Sequence, residues 1–280
     1  MSGSRPIAAG VPQGSILGPL LFTCYTADIP VPDDRRAQIA LYADDTAITF
    51  TSTSPKLIAS RLQLYSEALE KWFSDWRISI NPKKSAAVLF SNRKGRKAET
   101  PRPVVMFGEE IPWVDQTRYL GLILDKRLSW RPHVEHVRKK AIGGMAALRP
   151  IMGSRSKLSL KNKISIYKTM IRPIMTYAAP VWGYARSSTM ARLQIVQNKI
   201  LREALDAPWF IRNADIRKDT DVRLIMEFVK ELSTRFHRAL PSVPNETISR
   251  LSSADDPYGN PHPRDLSLIH ISEPTRLRRI

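Results

Sequence analysis

Two neighbouring carboxylates interrupt a run of strand-forming residues in the stretch LYADDTAITF, Leu41 to Phe50. The residues on either side of Asp44 and Asp45 are mostly β-branched, aromatic or aliphatic, and they predict paired strands over Gln38–Tyr42 and Thr46–Thr51. A hairpin with an acidic tip is therefore expected. Two interpretations of the tip stay open at this point: a solvated surface turn, in which Asp is common, or a rigid support for functional carboxylates.

The hydrophobic pattern changes along the chain. The first part mixes strand signals with a long amphipathic helix, and the part from His133 onward repeats at helical spacing. The first part is predicted to contain helices at Ser15–Asp28 (capped by Ser15) and Pro55–Trp76, and further strands at Ser85–Phe90, Val104–Phe107, Ile111–Val114 and Tyr119–Leu124. The second part is predicted to contain helices at Val134–Leu148, Leu160–Tyr177 (kinked by Pro173), Ser188–Leu205 and Val222–Leu240. This is an α+β fold, an antiparallel sheet with helices followed by an α-helical half.

Positive charge is concentrated in one stretch of a chain whose net charge is +18. Between Lys126 and Arg172 there are 13 Lys and Arg residues and one acidic residue, Glu135. Such a stretch is either a solvated helix face or a surface for a polyanion, and it has too few acids for extensive ion pairing along its helices. Nucleic acid is the polyanion that this charge favours. The candidate backbone-binding residues are Arg138, Lys139, Lys140, Lys157, Lys161 and Lys163.

Other classes of protein find little support in the sequence. The longest apolar run, Ile16 to Ala27, is interrupted by Gly18 and Pro19 and is shorter than the roughly 20 residues of a membrane-spanning helix. No basic-then-apolar signal peptide is recognised. The single cysteine, Cys24, excludes an internal disulfide and fits a reducing compartment, nuclear or cytoplasmic. His133 and His136 lack an evident third metal ligand and are expected to be solvated or to face a duplex.

The acidic tip fits a divalent-cation site. Mg²⁺ prefers oxygen ligands and keeps open positions for phosphate oxygens. In phosphoryl transfer two such ions activate the attacking hydroxyl and stabilise the leaving oxygen. Asp44 and Asp45 are therefore candidate metal ligands that would supply part of such a site. A second candidate is the loop AGVPQGSILGP, Ala9 to Pro19, where Gly14 would let main-chain amides approach another backbone closely.

Four short motifs give this chain a family resemblance. In order they are GVPQGSILGPLLF from Gly10, LYADD ending at Asp45, SINPKKSAAVLF from Ser79 and YLGLILDKRLSW from Tyr119. Their order and spacing resemble those of non-LTR retrotransposon reverse transcriptases, in particular jockey-like, LINE-type elements. The resemblance implies a partial reverse-transcriptase palm over residues 1–130 and a helical thumb over 131–240. It also implies an RNA template, a DNA primer and deoxynucleoside triphosphates as partners, and leaves the oligomeric state open.

The resemblance also implies roles for individual residues. Asp44 would be a catalytic Mg²⁺ ligand of the palm, and Asp45 would be either a second Mg²⁺ ligand or an electrostatic support. Lys84 would protonate the departing pyrophosphate. Gln13, Gly14 and Ser15 would position template and nucleotide. Tyr42 would lie under the primer terminus, and a primer grip would include Tyr119, Leu120 and Gly121. The thumb would hold duplex backbone with its basic residues.

Two departures from the family pattern shape the functional expectation: the fingers and the first catalytic strand of the palm are missing. In the family an upstream strand supplies a further aspartate, and no acidic residue precedes Asp28 here. The chain is therefore expected to be a fragment that is inactive alone, with a nucleic-acid-binding module or an unstable relic as alternatives. Residues 241–280 are expected to be disordered, and Leu266 to Ile280 resembles a translated sequencing adapter with no function.

Overall fold

The computed structural model describes residues 14–91, 101–245, 266–271 and 274–277, the last two segments by their backbone alone. The chain divides into two compact units. The first unit comprises residues 1–121, 125–128 and 262–280, and the second comprises 122–124 and 129–261. None of the described helices is long and apolar enough to cross a membrane.

The first unit combines two helices with short strands. The helices are α1 (Leu17–Tyr25) and α2 (Pro55–Asp75). The strands in the described part are β1 (Ala37–Tyr42), β2 (Asp45–Thr51), β3 (Ile78–Ile80), β4 (Ala86–Leu89), β5 (Val104–Met106), β6 (Glu109–Ile111), β7 (Gln116–Tyr119) and β8 (Leu122–Asp125), the last of which runs into the second unit. The predicted hairpin and the predicted α2 are confirmed to within a residue or two. The short strand β3 was not predicted.

A segment from the far end of the chain completes the main sheet. Strand β9 (Leu266–Ile271) lies between β2 and β4, giving the strand order β1-β2-β9-β4. It runs antiparallel to β2, from Thr46↔Ile271 to Thr51↔Leu266, and antiparallel to β4. Strand β10 (Pro274–Leu277) pairs with β3. The prediction of disorder is therefore wrong for these two segments, because β2 and β4 leave open edges that an extended segment can pair with.

The core of the first unit lies between α2 and the sheet. Ile48 and Phe50 of β2 and Ile58, Leu62 and Leu69 of α2 are almost completely buried. Each large apolar side chain buried in this way contributes about 1.5–3 kcal/mol. Ser54 caps the N-terminus of helix α2, since its hydroxyl accepts a hydrogen bond from the Leu57 amide.

Apart from the residues of β8, the regular structure in the described part of the second unit is helical. Its helices are α3 (Arg131–Met152), α4 (Leu160–Ile166), α5 (Arg172–Thr176), α6 (Ala179–Trp182), α7 (Ser187–Leu205), α8 (Asn213–Thr220) and α9 (Ile225–Ala239). The four predicted helices are present, with Leu160–Tyr177 divided, and α6 and α8 were not predicted. Between α4 and α5 the backbone makes a π-helical turn, Tyr167–Ile171, in which the Arg172 amide donates to the Tyr167 carbonyl. The turn lies just before Pro173, which has no amide hydrogen to continue the α-helical ladder.

Aromatic residues dominate the core of the second unit. Trp130, Tyr167 and Trp182 are buried, whereas Tyr177 is exposed. His133 lies among them, 5.3 Å from the Trp182 ring, and its Nδ1 accepts a hydrogen bond from the Ile123 amide. The expectation that His133 is solvated or faces a duplex is wrong, because α3 turns this side chain inward. Burial, aided by the charge of His136, lowers the pKa of His133 to about 4.

Candidate functional site

The two carboxylates of the acidic hairpin, Asp44 and Asp45, differ in their position and in their exposure to solvent. Tyr42 pairs with Asp45 at the end of the ladder, so the connecting turn consists of Ala43 and Asp44. Ala43 adopts a left-handed conformation with φ of 51°, which a side chain reaches only at some cost. Asp44 is exposed at the tip, and Asp45 is half-buried as the first residue of β2. Tyr42 is 64% exposed beside them.

A tyrosine from another hairpin lies close to this site. Burial raises the pKa of Tyr119, and the negative charge of Asp45 raises it further. The charge effect requires the phenol and the Asp45 carboxylate to be near each other. The structure thus places within electrostatic range two residues that are 74 positions apart in the sequence.

The predicted strand Tyr119–Leu124 is instead a hairpin. Strand β7 ends at Tyr119, and β8 begins at Leu122. Leu120 (φ 44°) and Gly121 (φ 80°) form the tight turn between them, and both adopt the positive φ that such turns require. The prediction of a continuous strand is wrong because the apolar run conceals a turn whose first residue, Leu, is not a usual turn former.

The glycine-bearing loop is described from Gly14 onward, and Gln13 lies outside the described residues. Gly14 has φ of 81°, and a Cβ added to it would meet no atom within 4 Å. A glycine at this position is therefore needed for the positive φ of the backbone, and among the described residues no other backbone lies close enough to exclude a Cβ. The N-cap position of α1 is Ile16, but the Ser15 hydroxyl accepts from the Gly18 amide at 2.9 Å and so satisfies an amide of the first turn.

Lys84 lies in a short 3₁₀ turn, Pro82–Lys84, that leads into β4. The turn is ordered by Asn81, whose side-chain oxygen accepts from the Lys83 amide at 3.1 Å and whose carbonyl accepts from the Lys84 amide at 3.1 Å. Lys84 itself is exposed. This local geometry explains the spacing of the Asn81-x-x-Lys84 motif, whereas the catalytic role of Lys84 stays a prediction.

The hairpin supplies some, but not all, of the ligands that a metal site needs. Asp44 and Asp45 supply hard oxygen ligands of the kind that Mg²⁺ prefers. Among the described residues no group of three or more His, Cys, Asp or Glu side chains is placed to hold an ion. The hairpin therefore offers part of a metal site.

The predicted backbone-binding residues differ in their surroundings. Lys139, Lys140, Lys157 and Lys161 are exposed. Arg138 is half-buried and makes a forked pair with Glu135, with contacts of 2.8–3.1 Å. Lys163 is only 5% exposed, and its ammonium donates to the carbonyls of Gly153 and Ala204. The prediction for Lys163 is wrong, because that side chain binds the protein's own backbone and cannot reach a nucleic acid.

Comparison with known proteins identifies a family for the segment of the chain that contains this site. Residues 1–124, which include the hairpin and Tyr119, match the family described as reverse transcriptase (RNA-dependent DNA polymerase). Residues 1–124 belong to the reverse transcriptase family. The predicted resemblance is thereby confirmed for the part of the chain that holds the acidic hairpin.

Relatives extend the likeness to the helical half. The chain is 35% identical to a probable RNA-directed DNA polymerase from transposon X-element of Drosophila melanogaster, over 100% of this chain and 31% of the relative. It is 34% identical to the RNA-directed DNA polymerase from mobile element jockey of the same organism, over 94% of this chain and 29% of the relative. It is 32% identical to a probable polymerase from transposon BS, again of D. melanogaster, over 83% and 26% of the two chains.

These comparisons confirm a jockey-like, non-LTR resemblance along most of the chain. The chain spans about 30% of the length of the first two of these relatives. No solved structure was found to match it.

Proposed function

We propose that this chain is a segment of an RNA-directed DNA polymerase of a non-LTR retrotransposon. The first unit would be the part of the palm that carries the catalytic hairpin, and the second unit would be a helical thumb. The observation that carries the proposal is the hairpin with Asp44 at its tip and Asp45 beside Tyr119, inside residues that match the reverse transcriptase family. Its substrates would be an RNA template, a DNA primer and deoxynucleoside triphosphates.

The chemistry assigned to the hairpin is metal-assisted nucleotidyl transfer. Asp44 and Asp45 would bind Mg²⁺, which supplies Lewis-acid stabilisation of the phosphoryl oxygens when bound. Tyr42 and the turn after Tyr119 would support the primer strand, and Lys84 would donate a proton to pyrophosphate. Gln13, Gly14 and Ser15 would contact the template and the incoming nucleotide. The position of Asp44 on the turn and of Asp45 in the β-ladder that closes it supports this assignment, because a rigid support holds ligands in fixed positions.

The catalytic assignment predicts the behaviour of a chimera in which this chain replaces the matching segment of the jockey polymerase. The chimera is expected to extend a DNA primer on an RNA template with Mg²⁺ and deoxynucleotides. Asp44→Ala should reduce incorporation by at least about 100-fold, because it removes a ligand from the ions that stabilise the transition state. The matched control is Asp33→Ala, an exposed carboxylate in the same unit, which should retain activity.

The 280-residue chain alone is expected to show no incorporation in the same primer-extension assay, because its described residues bring only two carboxylates to the hairpin. Incorporation by the isolated chain that Asp44→Ala abolishes would contradict this expectation. Equal activity of the Asp44→Ala and Asp33→Ala chimeras would overturn the catalytic assignment itself.

A second candidate function is nucleic-acid binding without catalysis. The observation that favours it is that the second unit exposes four of the predicted backbone-binding lysines, Lys139, Lys140, Lys157 and Lys161. Lysine side chains hold phosphates without reading sequence, as a surface for duplex backbone requires.

Binding to an RNA–DNA duplex is therefore expected to weaken steeply with salt, by filter binding between 50 and 200 mM KCl. Removing one lysine that binds a phosphate should reduce the slope of log K against log salt by about 0.9 or less. The Lys139→Ala/Lys140→Ala variant should show a slope smaller by up to about 1.8, and Lys71→Ala in α2 should leave it unchanged. A flat salt dependence of the wild-type chain would exclude this surface as a backbone-binding site.

A further inference from the structure

The loop between α7 and α8 exposes two large aromatic side chains. Trp209 is 88% exposed and Phe210 is 65% exposed. Their ring centroids lie 6.0 Å apart with an angle of 83° between the planes, so each ring shields little of the other. Apolar side chains of this size on a surface commonly mark an interaction site.

An arginine holds this loop in a defined shape. Arg202, in the last turn of α7, donates through Nε to the Asn213 side chain at 2.9 Å, through Nη1 to the Pro208 carbonyl at 3.0 Å, and through Nη2 to the Ile211 carbonyl. The Ile211 amide also donates to the Pro208 carbonyl. Trp209 and Phe210 thus lie on a loop fixed at both sides, and little conformational freedom would be lost when a ligand binds.

The charge around the loop favours an anionic ligand. These three acceptors of Arg202 are neutral oxygens. None of them offsets the positive charge of the guanidinium, which therefore lies at the base of the loop. Lys199 precedes Arg202 by three positions and is exposed, so the two cations lie on one side of α7. Arg192, ten positions before Arg202, lies on the same side but is paired with Glu135 at 3.5 Å. The acid next to Arg202, Glu203, is paired with Arg149 at 2.7 Å. Asp206 and Asp215 flank the loop and limit the positive field on its other side.

We propose that Trp209 and Phe210 form a stacking platform for unpaired bases of a single-stranded nucleic acid, with its phosphates along the basic side of α7. The proposal rests on the nucleic-acid function proposed above and adds a site and a strand preference to it. An aromatic ring can stack on any base that is not already stacked, so such a platform binds single strands without strict sequence preference. A duplex keeps its bases stacked on one another and would not use it.

The test is fluorescence anisotropy of the full chain with a fluorescein-labelled 20-nucleotide oligo(U) and, separately, a labelled 20-base-pair RNA–DNA duplex at 100 mM KCl. The Trp209→Ala/Phe210→Ala variant should bind oligo(U) about 5- to 100-fold more weakly and the duplex less than about 2-fold more weakly. Trp209→Phe should retain most of the affinity for oligo(U). The matched control is Phe236→Ala, a partly exposed aromatic of α9 in the same unit, which should bind like the wild type.

Three outcomes would overturn the stacking platform. The first is a double variant that binds oligo(U) as tightly as the wild type, and the second is an equal loss of affinity for oligo(U) and duplex. In the third outcome, gel filtration shows that the double variant has lost a self-association of the wild-type chain while oligo(U) binding is unchanged, so that the loop is a contact between copies. Failure of the wild-type chain to bind either probe would instead refute the underlying nucleic-acid function. Circular dichroism of each variant verifies that the helices remain folded.

Discussion

A chain ending at Asp265 is expected to lose the ordered first unit and to aggregate. The truncation removes β9 and β10, so that β2 and β4 each lose a neighbouring strand and β3 loses its partner. Ala47, Ile48 and Phe50 of β2, and Ala87 and Val88 of β4, are almost fully buried in the complete sheet. Opening an apolar edge in the centre of a sheet provides a template for pairing between molecules.

Light scattering and differential scanning calorimetry measure this effect, and a chain ending at Leu277 is the matched control, because it keeps both strands. We expect the control to be monodisperse and to show the thermal transition of the first unit, whereas the shorter chain should lack that transition. An unchanged transition in the chain ending at Asp265 would mean that the segment resembling an adapter contributes nothing to the fold.

Lys163→Ala is expected to lower the stability of the second unit by about 3 kcal/mol. The substitution removes the ammonium that binds the carbonyls of Gly153 and Ala204, 2.8 and 3.3 Å away. Both carbonyls lie near helix ends, the first just after α3 and the second within the last turn of α7. A buried carbonyl that loses its partner costs about 1–3 kcal/mol, and hydrogen bonds to charged groups are among the stronger ones.

Chemical denaturation with urea, followed by circular dichroism at 222 nm, provides the measurement. Lys161→Ala is the matched control, since Lys161 is an exposed lysine two residues away on the same helix. It should change stability by less than about 0.5 kcal/mol. If the two variants were equally stable and both weakened duplex binding, Lys163 would belong to the nucleic-acid surface after all.

The elements that sequence could predict are those whose signals are local. The hairpin at Asp44 and the helices α2 and α7 have strong periodicity, and their observed bounds are within a few residues of the prediction. The turn at Leu120 and Gly121 was missed because its flanking residues form one apolar run. The pairing of β9 with β2 and β4 could not be predicted, because the partner strands are separated from it by most of the chain and no periodicity encodes such a pairing.

In the candidate site, too, some features could be predicted from local sequence and others needed the fold. The carboxylates, Tyr119 and Lys84 could be selected from motifs, while the proximity of Tyr119 to Asp45 needed the fold.

Counting charges in sequence overestimated the basic surface, because Glu203 and Asp221, from helix α7 and the end of α8, lie beside Arg149 and Lys168. Lys163 shares its helical face with the buried Ile164, Tyr167 and Ile171, and this spacing was the available signal for its burial. Trp209 and Phe210 were overlooked, although two adjacent aromatics after a proline between predicted helices mark an unusual loop.

The position of β9 has a consequence for biosynthesis. More than 170 residues separate Leu89, the last residue of β4, from Leu266, the first residue of β9. At translation rates of about 5–20 residues per second, the ribosome needs roughly 10 to 35 s to make that interval. The acidic hairpin would therefore be synthesised early and lie beside an incomplete sheet until β9 has been made, a period in which molecular chaperones could recognise it.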